Sequence, residues 1–544
     1  MIVLIYPYDK GSFYINPLLL QKIGNIIDNV LNMQWEIFDV RIASFAEVDS
    51  FSNSDIYIID TEFGFNDWIR CFCRNLSKGT IIFVGNAVDF SSPVRFLTST
   101  YKQTGSKCYA LSMQDEYQII NALKYMLNCN LKKPENLIFY DDIVDINNCN
   151  VNINSIRCLT KKKNRLKFHQ NICDQYEKWG FQIFLEAFSR GCENFCSYCH
   201  LNNLYHVGNG VIQVQTDIHE VIEELQNKYL PQPLYIQFKD ENFFGSSFNR
   251  MKQIEGFIKK LEGIPFCGYI GIDARLDSII CKESFDKRQS RQQIWKRFAT
   301  AGLRYCYLGI ETFSNQQLIR YQKNLNLDYL FDSLDFLDSV QIAYTLGLIL
   351  WDPKMTIDDI YLNLNIIKSH NLYGKVASLL KEIRLQIDSS YLNRYPETVK
   401  MTYHSDDFIH INRDDVFYED SKIRCMLPSI RYVFDIFNKN GYRHSDIALL
   451  EPLYTQEIFK ERLIPVLVTK MECEIIEYLL KSECKDNSKC KMDCNRIIKK
   501  YLIQIFQILD TVERLEMGSY AAKIHNYYTS VFDRINKELS EDNA

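Results

Sequence analysis

"RGCENFCSYCH", residues 190–200, places Cys192, Cys196 and Cys199 within eight positions. Thiols at gaps of three and two residues are not there for packing alone. Immediately upstream, "FQIFLEAFS" (181–189) reads as a strand, so the three thiols leave its carboxyl end on a loop. Four thiolates normally fill a tetrahedral zinc or iron–sulfur site. Three on one short loop suit another arrangement, in which they hold three irons of a [4Fe–4S] cubane and the fourth iron stays open for a chelating ligand. Two further readings stand beside it here: a three-thiol zinc site completed by His200, and a chance cluster.

Strands and helices alternate beyond the loop. "DIHEVIEELQNKY", "NRMKQIEGFIKKL", "RQQIWKRFATAG" and "TIDDIYLNLNIIKSH" read as helices, the third stopped by Gly302 and the fourth opened by Thr356 as N-cap. Between them "PLYIQFKDENFF", "FCGYIGIDARLD", "LRYCYLGIET" and "IAYTLGLILWDP" read as strands, with "KVASLLKEIRLQI" as a sixth. About six strand–helix units make a partial barrel, with chemistry expected at the strands' carboxyl ends. The first part of the chain alternates too. "MIVLIYP", "WEIFDV", "DIYIID" and "TIIFVG" are separated by helical stretches such as "PLLLQKIGNIIDNVL", which implies a parallel sheet covered on both faces. Its best ligand loop is the strand exit "FVGNAVDFSSP" (83–93). Beyond 400, segments such as "SIRYVFDIFNKNG" and "NRIIKKYLIQIFQILDTVERLEM" read as helices. The chain thus divides into an α/β domain over 1–132, a polar connector over 133–180, a partial barrel over 181–395 and a mostly helical region over 396–544.

Composition limits the function classes. A chain of 544 residues has room for roughly three to four domains. A net charge of −5 makes no broad electrostatic case for nucleic acid. The longest apolar run, "IAYTLGLILW" (342–351), is about half a bilayer span. "MIVLIYPYDK" lacks a basic region and a cleavage site and reads as a first strand. The expectation is a cytoplasmic protein with no membrane or nucleic-acid partner. In that compartment 18 cysteines point to metal or catalysis rather than disulfides.

The motifs resemble a known family. "RGCENFCSYC" is similar to the CxxxCxxC signature of the radical S-adenosylmethionine enzymes, including the aromatic residue, Tyr198, before the last cysteine. "DENFF" (240–244) is similar to the acidic exit of that family's second strand, which receives the amino group of S-adenosylmethionine; Asp240 and Glu241 are the candidates. "AGLRYCYLGIETFSNQQLIRYQK" (301–323) resembles the stretch whose acid, here Glu311, faces the cofactor's amino or ribose groups. "LGLILWDPKMTIDDI" resembles the fifth strand and its exit, and Arg275 stands where the family often has a polar cofactor contact. The resemblance implies a partial (βα)6 barrel, a [4Fe–4S] cluster on Cys192, Cys196 and Cys199, and S-adenosylmethionine on the open iron. Reductive cleavage then yields a 5'-deoxyadenosyl radical that takes a hydrogen atom from the substrate. An electron donor such as flavodoxin or ferredoxin is implied as a partner.

An α/β domain directly before the barrel resembles the Rossmann-like domain of the cobalamin-binding branch. "PLLLQKIGNII", "TIIFVGNAVDFSSP" and "YALSMQDEYQIINALKYM" follow that branch's first helix, glycine-rich strand exit and acidic segment in order. Gly85-Asn86 replaces its paired glycines and Ser112-Met113-Gln114-Asp115-Glu116 its acidic motif. A side chain at Asn86 stands where glycine lets the backbone approach a ligand. No histidine precedes His169, which excludes an axial histidine from this domain. Cobalamin therefore remains open at this level, the alternative being a domain kept for docking.

Cys473, Cys484, Cys490 and Cys494 gather in the helical region, as a second zinc or iron–sulfur site or as a solvated loop. Cys267, Cys281 and Cys306 read as packing, with a pocket-facing hydrogen-atom donor as the other reading. Three functions compete. The leading one is functionalisation of an unactivated C–H bond in a small-molecule or peptide substrate, by methyl transfer if cobalamin binds. The second is a cobalamin-free radical modification of a peptide or natural-product precursor. The third is a non-catalytic iron–sulfur or cobalamin sensor, against which "DENFF" and "GIET" speak.

Overall fold

The computed structural model describes residues 1–8, 17–40, 54–112, 118–144, 182–199, 211–213, 218–229, 234–280, 285–442, 463–513 and 519–541, less 63, 77, 86, 89–92, 129–130, 246–247, 265–267, 388, 403–404, 406–408 and 484–486. Most of the connector, Asn86, Met113 to Glu116, His169, His200, Cys267, Cys281 and Cys484 lie outside these residues.

Six strands build the first sheet: β1 (Ile2–Tyr6), β2 (Trp35–Asp39), β3 (Ile56–Asp60), β4 (Thr80–Val84), β5 (Tyr109–Leu111) and β6 (Leu137–Phe139). Their order is β2-β1-β3-β4-β5-β6, and all neighbours run parallel except β5 and β6. Every residue of β1 and β3 is buried, as their unbroken apolar sequences require of strands covered on both faces. Helices α1 (Leu18–Ile26), α2 (Asp67–Asn75), α3 (Pro93–Thr104) and α4 (Gln118–Leu127) lie between the strands in sequence. The sheet extends past residue 132, because β6 comes from the segment read as connector. Strand order reverses between β1 and β3, and their carboxyl ends form the usual crevice of such sheets.

The second sheet follows β7 (Gln182–Leu185). A short antiparallel ribbon of β8 (Ser189–Gly191) and β9 (Val211–Gln213) flanks the cysteine loop. The sheet continues with β10 (Leu234–Phe238), β11 (Gly268–Ala274), β12 (Leu303–Glu311) and β13 (Ala343–Leu348), all parallel in the order β7-β10-β11-β12-β13. The sixth segment joins through bridges at Leu346–Val376 and Trp351–Glu382 rather than a ladder. It turns away to meet the helical region, where Leu379 N–H and Ser378 Oγ donate to Glu472 at 2.9 and 2.7 Å.

Side chains alternate across these strands with period two. Ile270, Ile272, Cys306, Leu308, Ile310, Leu346 and Leu348 belong to the apolar core. Gln237, Asp273, Tyr307, Glu311 and Thr345 occupy the opposite, lumen-facing register. The intervening helices are α5 (Ile218–Tyr229), α6 (Phe248–Leu261), α7 (Phe285–Thr300), α8 (Asn315–Arg320), α9 (Leu330–Ser339) and α10 (Ile357–Ser369). Gly302, at φ +121°, follows the end of α7, and Thr356 caps α10 in a reciprocal box with Asp359.

Four long helices close the chain: α11 (Ser421–Lys439), α12 (Leu463–Lys481), α13 (Asn487–Glu513) and α14 (Ser519–Glu541). One contiguous apolar core runs from the first sheet through the barrel into these helices. Among the described residues no helix is long and apolar enough to cross a membrane.

Candidate active site at the barrel mouth

Two acids from the exit of β10 hold the entry to the cysteine loop. Asp240 is fully buried and accepts N–H bonds from Ala187, Phe188 and Ser189 at 2.7, 2.8 and 2.8 Å. Arg250 adds a contact at 3.4 Å and also donates to Ser189 Oγ. Oδ1 takes the Phe188 and Ser189 N–H groups and Arg250, and Oδ2 takes the Ala187 N–H, so all four contacts of Asp240 serve the loop entry and its neighbour Arg250. Burial pushes its pKa up, and the three backbone N–H bonds pull against that shift. Glu241 accepts the Gly191 N–H at 2.8 Å and stays partly accessible. The motif presents the two acids as equivalent cofactor candidates; in the fold Asp240 is a buried anchor of the loop entry, and Glu241 is partly accessible beside it.

Cys192, Cys196 and Cys199 carry reduced thiols, Cys196 buried and the other two partly exposed. Asn194 Nδ2 donates to Cys192 Sγ at 3.3 Å, and Cys199 N–H closes a turn onto the Cys196 carbonyl at 3.1 Å. Burial raises the Cys196 thiol, while Lys323 and Arg275 oppose that by favouring the thiolate. Among the described residues no three His, Cys, Asp or Glu side chains converge on a single ion. Thiols that each bind a different iron need not converge in that way.

Glu311 ends β12 at φ +70°, a left-handed conformation that a non-glycine residue holds only under constraint. Its carbonyl accepts Ile349 N–H at 2.7 Å, and its carboxylate binds Lys323 Nζ at 2.7 Å and the Tyr198 hydroxyl. A Cβ on Gly309 would lie 2.8 Å from Glu311 Oε1 and 3.2 Å from Lys323 Nζ, so a side chain there would push on the Glu311–Lys323 pair. Arg275 is braced by Asp277 at 3.1 Å and by the Asn324 carbonyl at 2.6 Å. The fold therefore gathers Tyr198, Arg275, Glu311 and the thiols, and adds Lys323 and Arg250. Lys323 ends the quoted 301–323 stretch and was legible there; Arg250 carried no signal.

Deeper in the lumen, Gln237 Nε2 donates to Asp273 at 3.2 Å. Burial pushes the Asp273 carboxyl up to about 7, with Glu241 adding to the shift and Lys239 opposing it. Its unfolded value is about 4, so the native state binds the proton more tightly. The linked stability is complete below about pH 4 and is lost as pH rises through about 7. Asp273→Asn should flatten the dependence of melting temperature on pH across that window and raise it by a few degrees at pH 8. An unaltered pH profile for the variant would refute this.

The carboxyl edge of the first sheet faces the same mouth. Lys22 of α1 pairs with Glu186 after β7, and Lys239 after β10 pairs with Glu62 after β3. Gly85 sits at φ +102°, and a Cβ there would meet Glu62 N at 2.9 Å and Asp60 Oδ1 at 3.2 Å. Asp60 is fully buried and its Oδ2 has no hydrogen-bond partner among the described residues.

The helical cysteines behave differently. Cys473 on α12 and Cys490 and Cys494 on α13 are buried members of the apolar core, and burial pushes Cys473 up to about 12. A thiol so raised is protonated and packs as a small apolar group. Cys306 lies in the core register of β12, away from the lumen.

No protein-family model matches the chain. A curated protein, 4'-phospho-dehydrooxetanocin synthase from Priestia megaterium, is 26% identical over 357 residues, 64% of this chain. The match covers 44% of that relative, less than half its length. The solved structure of a cobalamin-dependent S-adenosylmethionine radical enzyme, OxsB, with aqua-cobalamin and S-adenosylmethionine bound, superposes with a TM-score of 0.69 at 15% identity. It covers 98% of this chain and 84% of its own. The radical S-adenosylmethionine methyltransferase TsrM from Kitasatospora setae superposes at 0.51 with 12% identity, over 68% of this chain and 71% of its own. The fold is thus that of the cobalamin-dependent radical S-adenosylmethionine enzymes across nearly the whole chain, helical region included.

Proposed function

We propose that the chain is a radical S-adenosylmethionine enzyme that functionalises an unactivated C–H bond of a small molecule, by methyl transfer with cobalamin bound. The observation that carries this reading is the set of three reduced thiols on one loop, held at the carboxyl mouth of the barrel beside Glu241, Glu311 and Arg275. Cys192, Cys196 and Cys199 hold the [4Fe–4S] cluster, which when bound supplies the electron for cleavage of S-adenosylmethionine. Glu241 and Glu311 present carboxylates to the ligand's ammonium and hydroxyl groups, Tyr198 braces Glu311, and Arg275 and Lys323 set positive charge beside the thiolates.

Asp60 Oδ2 and the side-chain-free Gly85 turn suit cobalamin, whose amide donors satisfy a buried acceptor without a partner. In this reading the two sheets, linked by Lys22–Glu186 and Lys239–Glu62, exclude water from the mouth. A flavodoxin or ferredoxin is the electron donor, and the protein works in the cytoplasm.

The test is anaerobic purification with cobalamin supplied, followed by an absorbance spectrum and metal analysis. About four irons and one cobalt per chain are expected. Iron without cobalt would replace methyl transfer by the cobalamin-free modification of a peptide or natural-product precursor. A chain that takes up iron but leaves S-adenosylmethionine uncleaved would return the sensor reading.

A further inference from the structure

The exit of the cysteine loop is held through one residue, Ser197, between the second and third thiols. Its N–H donates to the Tyr321 carbonyl at 2.7 Å and its hydroxyl to the Arg320 carbonyl at 3.0 Å. Its own carbonyl accepts from Tyr391 N–H at 2.8 Å and Ser390 Oγ at 3.1 Å. Every polar group of Ser197 thus bonds to two pairs of residues, 320–321 and 390–391, from distant parts of the chain.

The side chains of Arg320, Tyr321 and Tyr391 converge on a single carboxylate. Tyr321 OH donates to Asp352 Oδ2 at 2.9 Å and Tyr391 OH to Asp352 Oδ1 at 2.9 Å. Gln317 Nε2 and Arg320 Nη2 reach Oδ2 at 2.9 and 3.4 Å, and Lys354 N–H reaches Oδ1 at 2.9 Å. Asp352 is fully buried at the exit of β13. The Tyr321 ring meets Tyr198 edge-on, with centroids 5.1 Å apart, so the same hub touches the aromatic residue of the cysteine motif. The neighbouring Trp351 is tied to the helical region: Tyr418 OH contacts its carbonyl and Glu382, and Arg431 of α11 binds Glu382 at 2.8 Å.

We infer that Asp352 is a positioning residue for the cluster loop, acting through Tyr321 and Tyr391 on Ser197. Asparagine in its place turns one acceptor into a donor. The tyrosine hydroxyls can reverse, but Arg320 and the Lys354 N–H cannot, and Gln317 can turn its amide only by giving up the Ile349 carbonyl. The Cys196–Cys199 turn then loses its fixed register on α8 and on residues 390–391. The inference rests on reading this loop as the iron-binding one, so the experiment has an arm that needs no iron.

Hydrogen exchange is measured on the full-length chain before iron loading. Asp352→Asn should accelerate exchange in the peptide spanning 192–199 and leave peptides of α13 unchanged. After loading, iron loss to a chelator should quicken roughly tenfold in Asp352→Asn and several-fold in Tyr321→Phe or Tyr391→Phe, the scale of a lost buried hydrogen bond. The electron paramagnetic resonance spectrum of the reduced cluster should shift as well. Ser197→Ala removes only the hydroxyl bond to the Arg320 carbonyl and keeps the backbone contacts to Tyr321 and Tyr391, so it should quicken iron loss less than Asp352→Asn. Unchanged exchange at 192–199, or equal acceleration in every peptide, would overturn the inference. If Asp352→Asn fails to fold, Tyr391→Phe removes a single oxygen and carries the same test. A wild-type chain that takes up no iron sinks the functional reading, while the exchange arm still decides the hub.

Discussion

Cys196→Ala should abolish the brown absorbance of the reconstituted protein and all cleavage of S-adenosylmethionine. Three thiolates are the fewest that hold a cubane while leaving one iron open. Losing one leaves two, and the nearby described thiols are committed elsewhere: Cys306 lies in the core register of β12, and Cys473, Cys490 and Cys494 pack in helices. Iron should fall from about four per chain to near zero. The fold should survive, because the substitution removes one sulfur from a loop whose backbone is held by Asp240, Glu241 and Ser197. Cys192→Ala and Cys199→Ala should behave alike, with apoprotein melting temperatures near wild type. Normal cofactor cleavage in any of the three would end the radical-enzyme reading.

What the sequence disclosed here is what a local pattern can carry. The strand runs, the Thr356 cap, the Gly302 stop and the order of motifs along the barrel depend on neighbours within a few positions, and each has its structural counterpart. Strand β6 escaped because Leu137–Phe139 is three residues long in polar surroundings and is defined by its partner β5. The sixth barrel segment read as a strand, since its alternation reflects contacts on both faces, yet its ladder is broken by the turn toward Glu472. The helical cysteines illustrate periodicity that was available. Cys490, Cys494 and Ile498 recur at four-residue steps on the buried side of α13, which a helical wheel separates from the lysines between them. The Asp352 hub had no such signal, for Tyr391 lies 39 residues away from it and Ser197 lies 193 from Ser390.

The same limit governs Asp240, whose backbone N–H partners lie more than fifty residues upstream. Asp240→Asn should destabilise the apoprotein by about 3–5 kcal/mol, the usual cost of breaking a buried charge pair from one side. The amide keeps the shape but offers one acceptor oxygen to three backbone N–H groups, and it leaves Arg250 buried beside a neutral partner. Arg250 is already lowered from its ordinary value by burial, with Asp240 the main opposing influence, so removing that charge exposes the full desolvation penalty. Denaturant unfolding measures the loss, and Asp240→Asn combined with Arg250→Met should recover part of it by removing the orphaned cation. Iron uptake should fall in parallel, because Ala187 to Ser189 set the direction in which the chain enters the cysteine loop. A variant of wild-type stability whose KM for S-adenosylmethionine rises instead would place Asp240 on the cofactor, in the role its motif suggests. The two outcomes differ in an observable that requires neither substrate nor cluster, so the anchor and the ligand roles are separable on the apoprotein alone.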